Sequence, residues 1–342
     1  MLEALDTLTK NKQPFVAFKL PNAQEVNLYY QKDDQLHMTF DFSKAGFLMA
    51  PFADTDFYSY IPNTYSHRFD LPLANTVIRS GLTVPDENQN PFVALVQSAL
   101  NEFENSDLKK VVVSRVLTVN AMEKNAAQTF QNLALLYPTA FVYYWQHPAT
   151  GSWMGATPER FANVKDNRLH TIALAGTSTA DEGQEAVWTT KEIDEQQLVT
   201  EAIEIALKTS FPSVETKIST VESVQAGALW HLKTDVQAES QELSIAKVVK
   251  ALHPTPAVGG VPKDTSTAFI LENEGYDRKF YTGFLGLFNG DSNADLFVNL
   301  RCAEITSKGY NVFVGAGITP ESDPMNEWRE TQRKAKTFCK AL

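Results

Sequence analysis

The stretch VFVGAGITPESDPMNEWRETQRKAK, Val312 to Lys336, decides how the rest of the chain is read. Val312, Phe313 and Val314 make an apolar run suited to a buried strand. Gly315 and Gly317 lack a Cβ and let the backbone come close to another group. Asp323 followed by Pro324 is a helix start, a capping carboxylate and then proline at the first helical position. On that helix Glu327, Glu330 and Lys334 fall at spacings of three and four and share one face. Such a face is either a solvated, salt-bridged helix surface or a source of oxygen ligands for a hard divalent cation such as Mg2+.

Composition narrows the setting. The 342 residues are 43% apolar and 21% charged, ordinary for a globular protein with a substantial core. No apolar run reaches the about 18 residues a membrane span needs. The N-terminal MLEALDTLTKNKQ lacks the basic-then-apolar order of a leader peptide. Cys302 and Cys339 fall in no metal or redox motif, so a reducing, cytoplasmic setting is expected. The net charge of −11 argues against broad nucleic-acid binding. An anionic ligand held by local cations stays open. Nothing marks a linker or repeat, so residues 1–342 are read as a single domain. Residues 1–105 carry little legible chemistry and residues 106–342 carry the motifs.

Early strands are expected at NLYY, HMTF and GFLM, with a turn at Asp33 and Asp34. PDENQNPF leads into a helix, FVALVQSALNEF. KKVVVSRVLTV, Lys109 to Val119, is continuous and β-branched, as a strand buried on both faces would be. Lys110 at its start is either a lysine reaching water or, if desolvated, a base. A helix over Ala126–Leu136 ends before Pro138. AFVYYWQ and SWMGA follow as strands, and GATPERF leaves the second with Glu159 on a loop, exposed or aimed into a cleft. LHTIALAGTSTA is a strand opening into the small-residue loop Ala175–Ser178, which has neither a Walker lysine nor a GxGxxG pattern. KEIDEQQLVTEAIEIALK, Lys191 to Lys208, is a helix with Glu192 and Glu195 on one face. Two helices each offering Glu-x-x-Glu could hold one Mg2+ between them. TKISTVESV, ALWHLKTDVQAE, FYTGFLGLFN and ADLFVNLRCAEI read as strands. SIAKVVKALHPTPAVGG is a helix broken by proline, with His253 at the break as cap or catalyst. Arg301 lies inside an apolar run, where a buried guanidinium needs an anionic partner.

Together KVVVSR, GATPERF, LAGTSTA, KEIDEQQLV, HPTPAVGG, FYTGFLGL, NLRCAEI and VGAGITPESDPMNEWRETQRK resemble the chorismate-utilising enzyme family. That family includes isochorismate, salicylate, anthranilate and aminodeoxychorismate synthases. The motifs occur in the family's order over Lys109 to Lys336 and are most like those of the isochorismate synthases.

The resemblance implies an α+β fold of two packed β-sheets flanked by helices, a four-layer α/β/β/α sandwich, with Mg2+ as cofactor. By motif position it implies Glu195 and Glu327 as metal ligands, with Glu192 and Glu330 supporting them. It implies Tyr281, Arg301, Gly315, Gly317 and Lys334 at the substrate's carboxylates. Gly176 and Thr177 would face the ring, and His253 would be the family's active-site histidine. Water-adding members carry a lysine where Lys110 stands and ammonia-using members do not. Lys110 is therefore the expected base for water attacking C2 of chorismate, and Glu159 the acid that protonates the departing C4 hydroxyl. These roles need Lys110 largely neutral and Glu159 protonated, which a closed, desolvated site favours. Gln196 stands where many relatives have histidine, and the arginine many carry after LAGTSTA is missing. The expected activity is isochorismate synthase, with salicylate synthase as the alternative and menaquinone as the expected pathway, ahead of a siderophore pathway. A monomer without an amidotransferase subunit is expected. A non-catalytic binder of an anionic metabolite would lack the base, the acid or a metal ligand, and none is missing.

Overall fold

Strands dominate the computed structural model, which describes residues 1–53, 57–72, 81–121, 125–178, 184–226 and 229–342. Thr179 and Ala180, the end of the LAGTSTA motif, and Ala228 before LWHL lie outside the described residues. Among the described residues the strands form two antiparallel sheets, one of nine strands and one of ten.

The Lys110–Asn120 strand lies inside the nine-stranded sheet, between Gly260–Val261 and Gly309–Ile318. Its β-branched run is buried on both faces, as its composition requires. Val111 and Val113 pack outward with Phe92, Val96, Phe269 and Ala316. Lys110 and Val112 therefore point the other way, by the two-residue alternation of a strand.

Four layers follow from the apolar clusters. Between the sheets lie Phe18, Phe141, Tyr143, Trp145 and Trp153 from one, and Phe47, Leu285 and Phe297 from the other. The nine-stranded sheet is covered on its other face by helices Leu2–Lys10, Ala126–Leu136 and Pro324–Cys339, through Leu5, Phe130, Leu133 and Phe338. The ten-stranded sheet is covered by Thr190–Ser210 and Ile245–Leu252, through Val199, Ile203, Leu207 and Val248. This is the α/β/β/α sandwich expected from the sequence.

Two runs read as single strands are each divided. TKISTVESV becomes Glu215–Ile218 and Glu222–Ala226, separated at Ser219, whose hydroxyl accepts from Asp235 N. ADLFVNLRCAEI becomes Asn293–Val298 in the ten-stranded sheet and Cys302–Thr306 in the nine-stranded one. The chain crosses between sheets at Asn299–Arg301, and Arg301 takes the left-handed backbone conformation there (φ +50°). GATPERF makes a similar crossing, from Gly151–Thr157 to Arg160–Lys165, through Pro158 and Glu159.

The intersheet layer depends on ring contacts such as Phe141 against Phe297, stacked at 4.3 Å. Phe141 is fully buried. Phe141→Ala should destabilise the fold by about 3–5 kcal/mol, read by urea denaturation. A loss below about 1 kcal/mol would mean that the layer closes over the gap.

Candidate active site

The two crossings meet. Thr157 Oγ1 donates to Val298 O at 2.7 Å, Val298 N to Glu159 O at 3.0 Å, and Ala156 N to Arg301 O at 3.2 Å. Glu159 and Arg301 are thereby brought to one wall of a cavity of about 850 Å³, including its open mouth. Its other walls come from Gly176 and Thr177, from helix Thr190–Ser210, from strand Gly309–Ile318, and from helix Pro324–Cys339.

Of the expected residues, Glu159, Gly176, Thr177, Glu192, Glu195, Tyr281, Arg301, Gly315, Gly317, Glu327, Glu330 and Lys334 all line this cavity. Lys110 stands just behind the wall, with Nζ 2.9 Å from Glu195 Oε1. Its side chain is 1% exposed, so it is not a strand-end lysine reaching water.

His253 is set apart. It caps helix Ile245–Leu252, its ring packs against Phe161 and Phe284, and Nε2 lies 3.1 Å from both Pro51 O and Phe52 O. It does not line the cavity. The histidine that does is His231, which the sequence reading passed over as one residue of an apolar strand. His231 Nδ1 lies 2.9 Å from Gly176 O, and a carbonyl can only accept, so Nδ1 carries the proton. Nε2 is then an acceptor, buried and without a partner among the described residues. Burial, reinforced by the charges of Arg301 and Lys334, pushes the imidazole down to about 3 and keeps it neutral. Pairing placed it here: Ala175–Ser178, expected as a loop, continues strand Arg168–Ser178, and a register shift between Ala175 and Ser178 sets Gly176 against His231 on strand Leu229–Glu239. Gln196 ties the same strand down, accepting from Ala175 N at 2.8 Å and donating to Ala173 O at 3.0 Å.

Burial pushes the Glu159 carboxyl up to about 8, against the pull of Lys110, Lys334 and Arg301. Glu159 is therefore protonated at neutral pH. Burial alone would also raise Glu330, but Lys334 at 2.6 Å holds it below its usual value. Glu327 is raised, by burial and by the nearby Glu330. Glu192 is committed to the helix start: its Oε2 accepts from Thr189 N at 3.0 Å and from Thr189 Oγ1 at 2.5 Å.

The glycines are needed for close approach. A Cβ on Gly317 would lie 2.6 Å from Glu195 Oε1, and one on Gly315 would lie 2.9 Å from the Tyr281 hydroxyl. Tyr281 stacks on Phe313 at 5.4 Å. Arg301 donates to Thr337 Oγ1 at 3.0 Å. Among the described residues no carboxylate pairs with it within 4.0 Å, so its charge faces the cavity free to meet an anion.

Four carboxylates on one cavity are the hard oxygen donors that suit Mg2+. The donor chemistry fits, and Glu195, Glu327 and Glu330 would hold the ion. Each of these three is paired with a lysine, and among the described residues no three acidic, histidine or cysteine groups form a ready cation cage.

Beneath the cavity lies a pair the sequence reading missed. Arg278, 2% exposed, donates to Glu274 Oε2 at 2.8 Å, Val112 O at 2.6 Å, Val258 O at 3.0 Å and Thr282 Oγ1 at 3.1 Å. Glu274 Oε1 accepts from Ser114 N at 2.7 Å. The pair joins the backbones of Val112 and Val258, both on the cavity wall, to the Tyr281 loop.

The chain belongs to the chorismate binding enzyme family, whose model matches residues 66–342. It is 31% identical over 266 residues to the salicylate biosynthesis isochorismate synthase of Pseudomonas aeruginosa, a match of 75% of this chain and 55% of that protein. To isochorismate synthase EntC of Escherichia coli K12 it is 29% identical over 261 residues, covering 73% and 66%. The chain thus spans about 55% to 66% of the length of these curated relatives. The solved structure of the menaquinone-specific isochorismate synthase MenF from Escherichia coli superposes with a TM-score of 0.81 at 20% identity, covering 96% of this chain and 88% of that one. Anthranilate synthase component I from Streptococcus pneumoniae gives 0.72 at 19% identity, covering 95% and 92%. These two likenesses carry the fold. Among the described residues no helix is long and apolar enough to cross a membrane.

Removing Arg278 leaves a buried carboxylate unpaired. Arg278→Met should cost about 3–5 kcal/mol by urea denaturation, and Arg278→Met with Glu274→Gln should recover part of that. Full additivity of the two losses would show that the residues act separately.

Proposed function

We propose that this chain is an isochorismate synthase, converting chorismate to isochorismate by adding water at C2 and expelling the C4 hydroxyl. The observation that carries the reading is the buried Glu159 carboxyl, whose pKa burial raises, on the same cavity as the Lys110–Glu195 pair. The reaction needs a proton donor for the leaving hydroxyl and an acceptor for the attacking water's proton. Glu159 holds the first proton. Lys110 is placed to take the second, with Glu195 beside it.

Arg301, Lys334 and the Tyr281 hydroxyl would receive the two carboxylates of chorismate, with the Gly315 and Gly317 backbone drawn close by the absence of side chains. The neutral His231 would accept a hydrogen bond from a hydroxyl of the substrate through Nε2. Leu174, Val258, Leu300 and Phe313 exclude water from the ring face. Bound Mg2+ would polarise the ring carboxylate. Relatives carry the names vibriobactin-specific, salicylate biosynthesis and menaquinone-specific isochorismate synthase, and we take menaquinone as the first pathway to test. The chain is proposed to act as a cytoplasmic monomer on the free metabolite.

Purified protein with chorismate and Mg2+ should yield isochorismate without pyruvate, seen by chromatography and NMR, and a chelator should stop it. Salicylate with equal pyruvate would move the assignment to salicylate synthase, the second reading. Unchanged chorismate with binding retained would point to a non-catalytic binder. Lys110→Ala and Glu159→Gln should each lower turnover by about 10²–10⁴-fold while substrate still binds.

The acid works only with its proton on, so activity should fall as pH rises past the pKa of Glu159. The rate kcat/KM should show an alkaline limb near 8. Residual activity of Glu159→Gln should lose that limb. A limb unchanged in the variant would assign it to another group.

A further inference from the structure

Lys191 belongs to none of the roles above. It sits in the first turn of helix Thr190–Ser210, and its Nζ lies 2.5 Å from Oε1 of Glu327 on the facing helix. Glu327 is 2% exposed, while the Lys191 side chain is 25% exposed. Glu195 and Glu330 also act electrostatically on this ammonium, so it lies in the field of all three carboxylates expected to hold the metal.

The three lysines of the cavity differ in how they are held. Lys110 is sealed in its strand at 1% exposure. Lys334 is fixed twice, on Glu330 and on Gly315 O at 3.0 Å. Lys191 has Glu327 as its one hydrogen-bond partner among the described residues, and its flexible stem reaches solvent. An ammonium and a divalent cation on the same carboxylate repel one another strongly in a buried site. Lys191 is the cation with a way out.

We propose that Lys191 is the resident counter-ion of Glu327 and that a divalent cation binds here by displacing it. This rests on the reading of Glu195, Glu327 and Glu330 as metal ligands. On this account Lys191 weakens the metal site, at the same time holding a buried carboxylate that would otherwise stand unpaired. It also fixes the order of events: the ammonium leaves Glu327 before the ion seats. An outer support that orients Glu327 for the metal would act in the opposite sense, since loss of such a support weakens metal binding.

The sign of the effect is the test. MgCl2 is titrated calorimetrically into the wild-type chain, Lys191→Met and Lys191→Gln, without substrate, and thermal unfolding is followed with and without Mg2+. Both variants should bind Mg2+ at least about fivefold more tightly than wild type. Their melting temperatures should also rise more on adding Mg2+ than that of wild type. The glutamine variant carries the test should the methionine variant fail to fold. Equal or weaker binding in the variants, with wild type binding Mg2+, would overturn the proposal and leave the metal reading standing. No binding by any of the three would overturn the metal reading and this proposal with it.

Discussion

The site depends on two places where the chain passes from one sheet to the other. A strand continuing within its sheet would send Glu159 and Arg301 into the intersheet layer or onto a helix face. The crossings at Pro158–Glu159 and Asn299–Arg301 turn them instead to the open end of the sandwich. The hydrogen bonds of Thr157 and Glu159 to Val298, and of Ala156 to Arg301, lock one crossing to the other. A protonated acid and an unpaired guanidinium then share one wall without a salt bridge between them. Arg278 and Glu274 do similar work beneath, tying strand Lys110–Asn120 to the Tyr281 loop.

Charge sets what the cavity accepts. Glu192, Glu195, Glu327 and Glu330 stand against Lys110, Lys191, Lys334 and Arg301, four formal charges of each sign. Glu159 adds none at neutral pH, because burial keeps its proton on. A dicarboxylate brings two negative charges and a divalent cation two positive ones. Together they preserve the balance, and either alone disturbs it. On the proposed function, binding of the two would therefore be mutually favourable on electrostatic grounds.

Much of this was legible in the sequence because the informative residues break a local pattern. Gly315 and Gly317 interrupt a β-branched strand, and the structure shows what each admits: the Tyr281 hydroxyl and the Glu195 carboxylate. Asp323–Pro324 did start a helix, and its glutamates do face inward. Glu192 showed the limit of spacing arguments, since the same Glu at the third helical position is also half of a capping box with Thr189. His253 and His231 show another limit. Both are lone histidines in apolar surroundings, and only strand pairing separates them: His231 lies opposite Gly176 on the neighbouring strand, while His253 turns into the core between two phenylalanines. The division of ADLFVNLRCAEI falls at Asn299 and Arg301, the polar residues that interrupt its apolar run, but Leu300 between them keeps the strand-like pattern going and leaves the change of sheet unmarked. The sequence reading does not single out Arg278 and Glu274 at all, since two charges four apart in a polar stretch carry no local sign of burial.

The most direct measurement of the central claim is isotopic. Chorismate is converted by the chain in water enriched in oxygen-18, and the isochorismate is examined by mass spectrometry and carbon NMR. Water attack at C2 with loss of the C4 hydroxyl predicts one heavy oxygen per molecule, located at C2. Isochorismate with no heavy oxygen would mean that the hydroxyl migrates without exchange. It would contradict the account in which Lys110 activates water and Glu159 releases the hydroxyl as water.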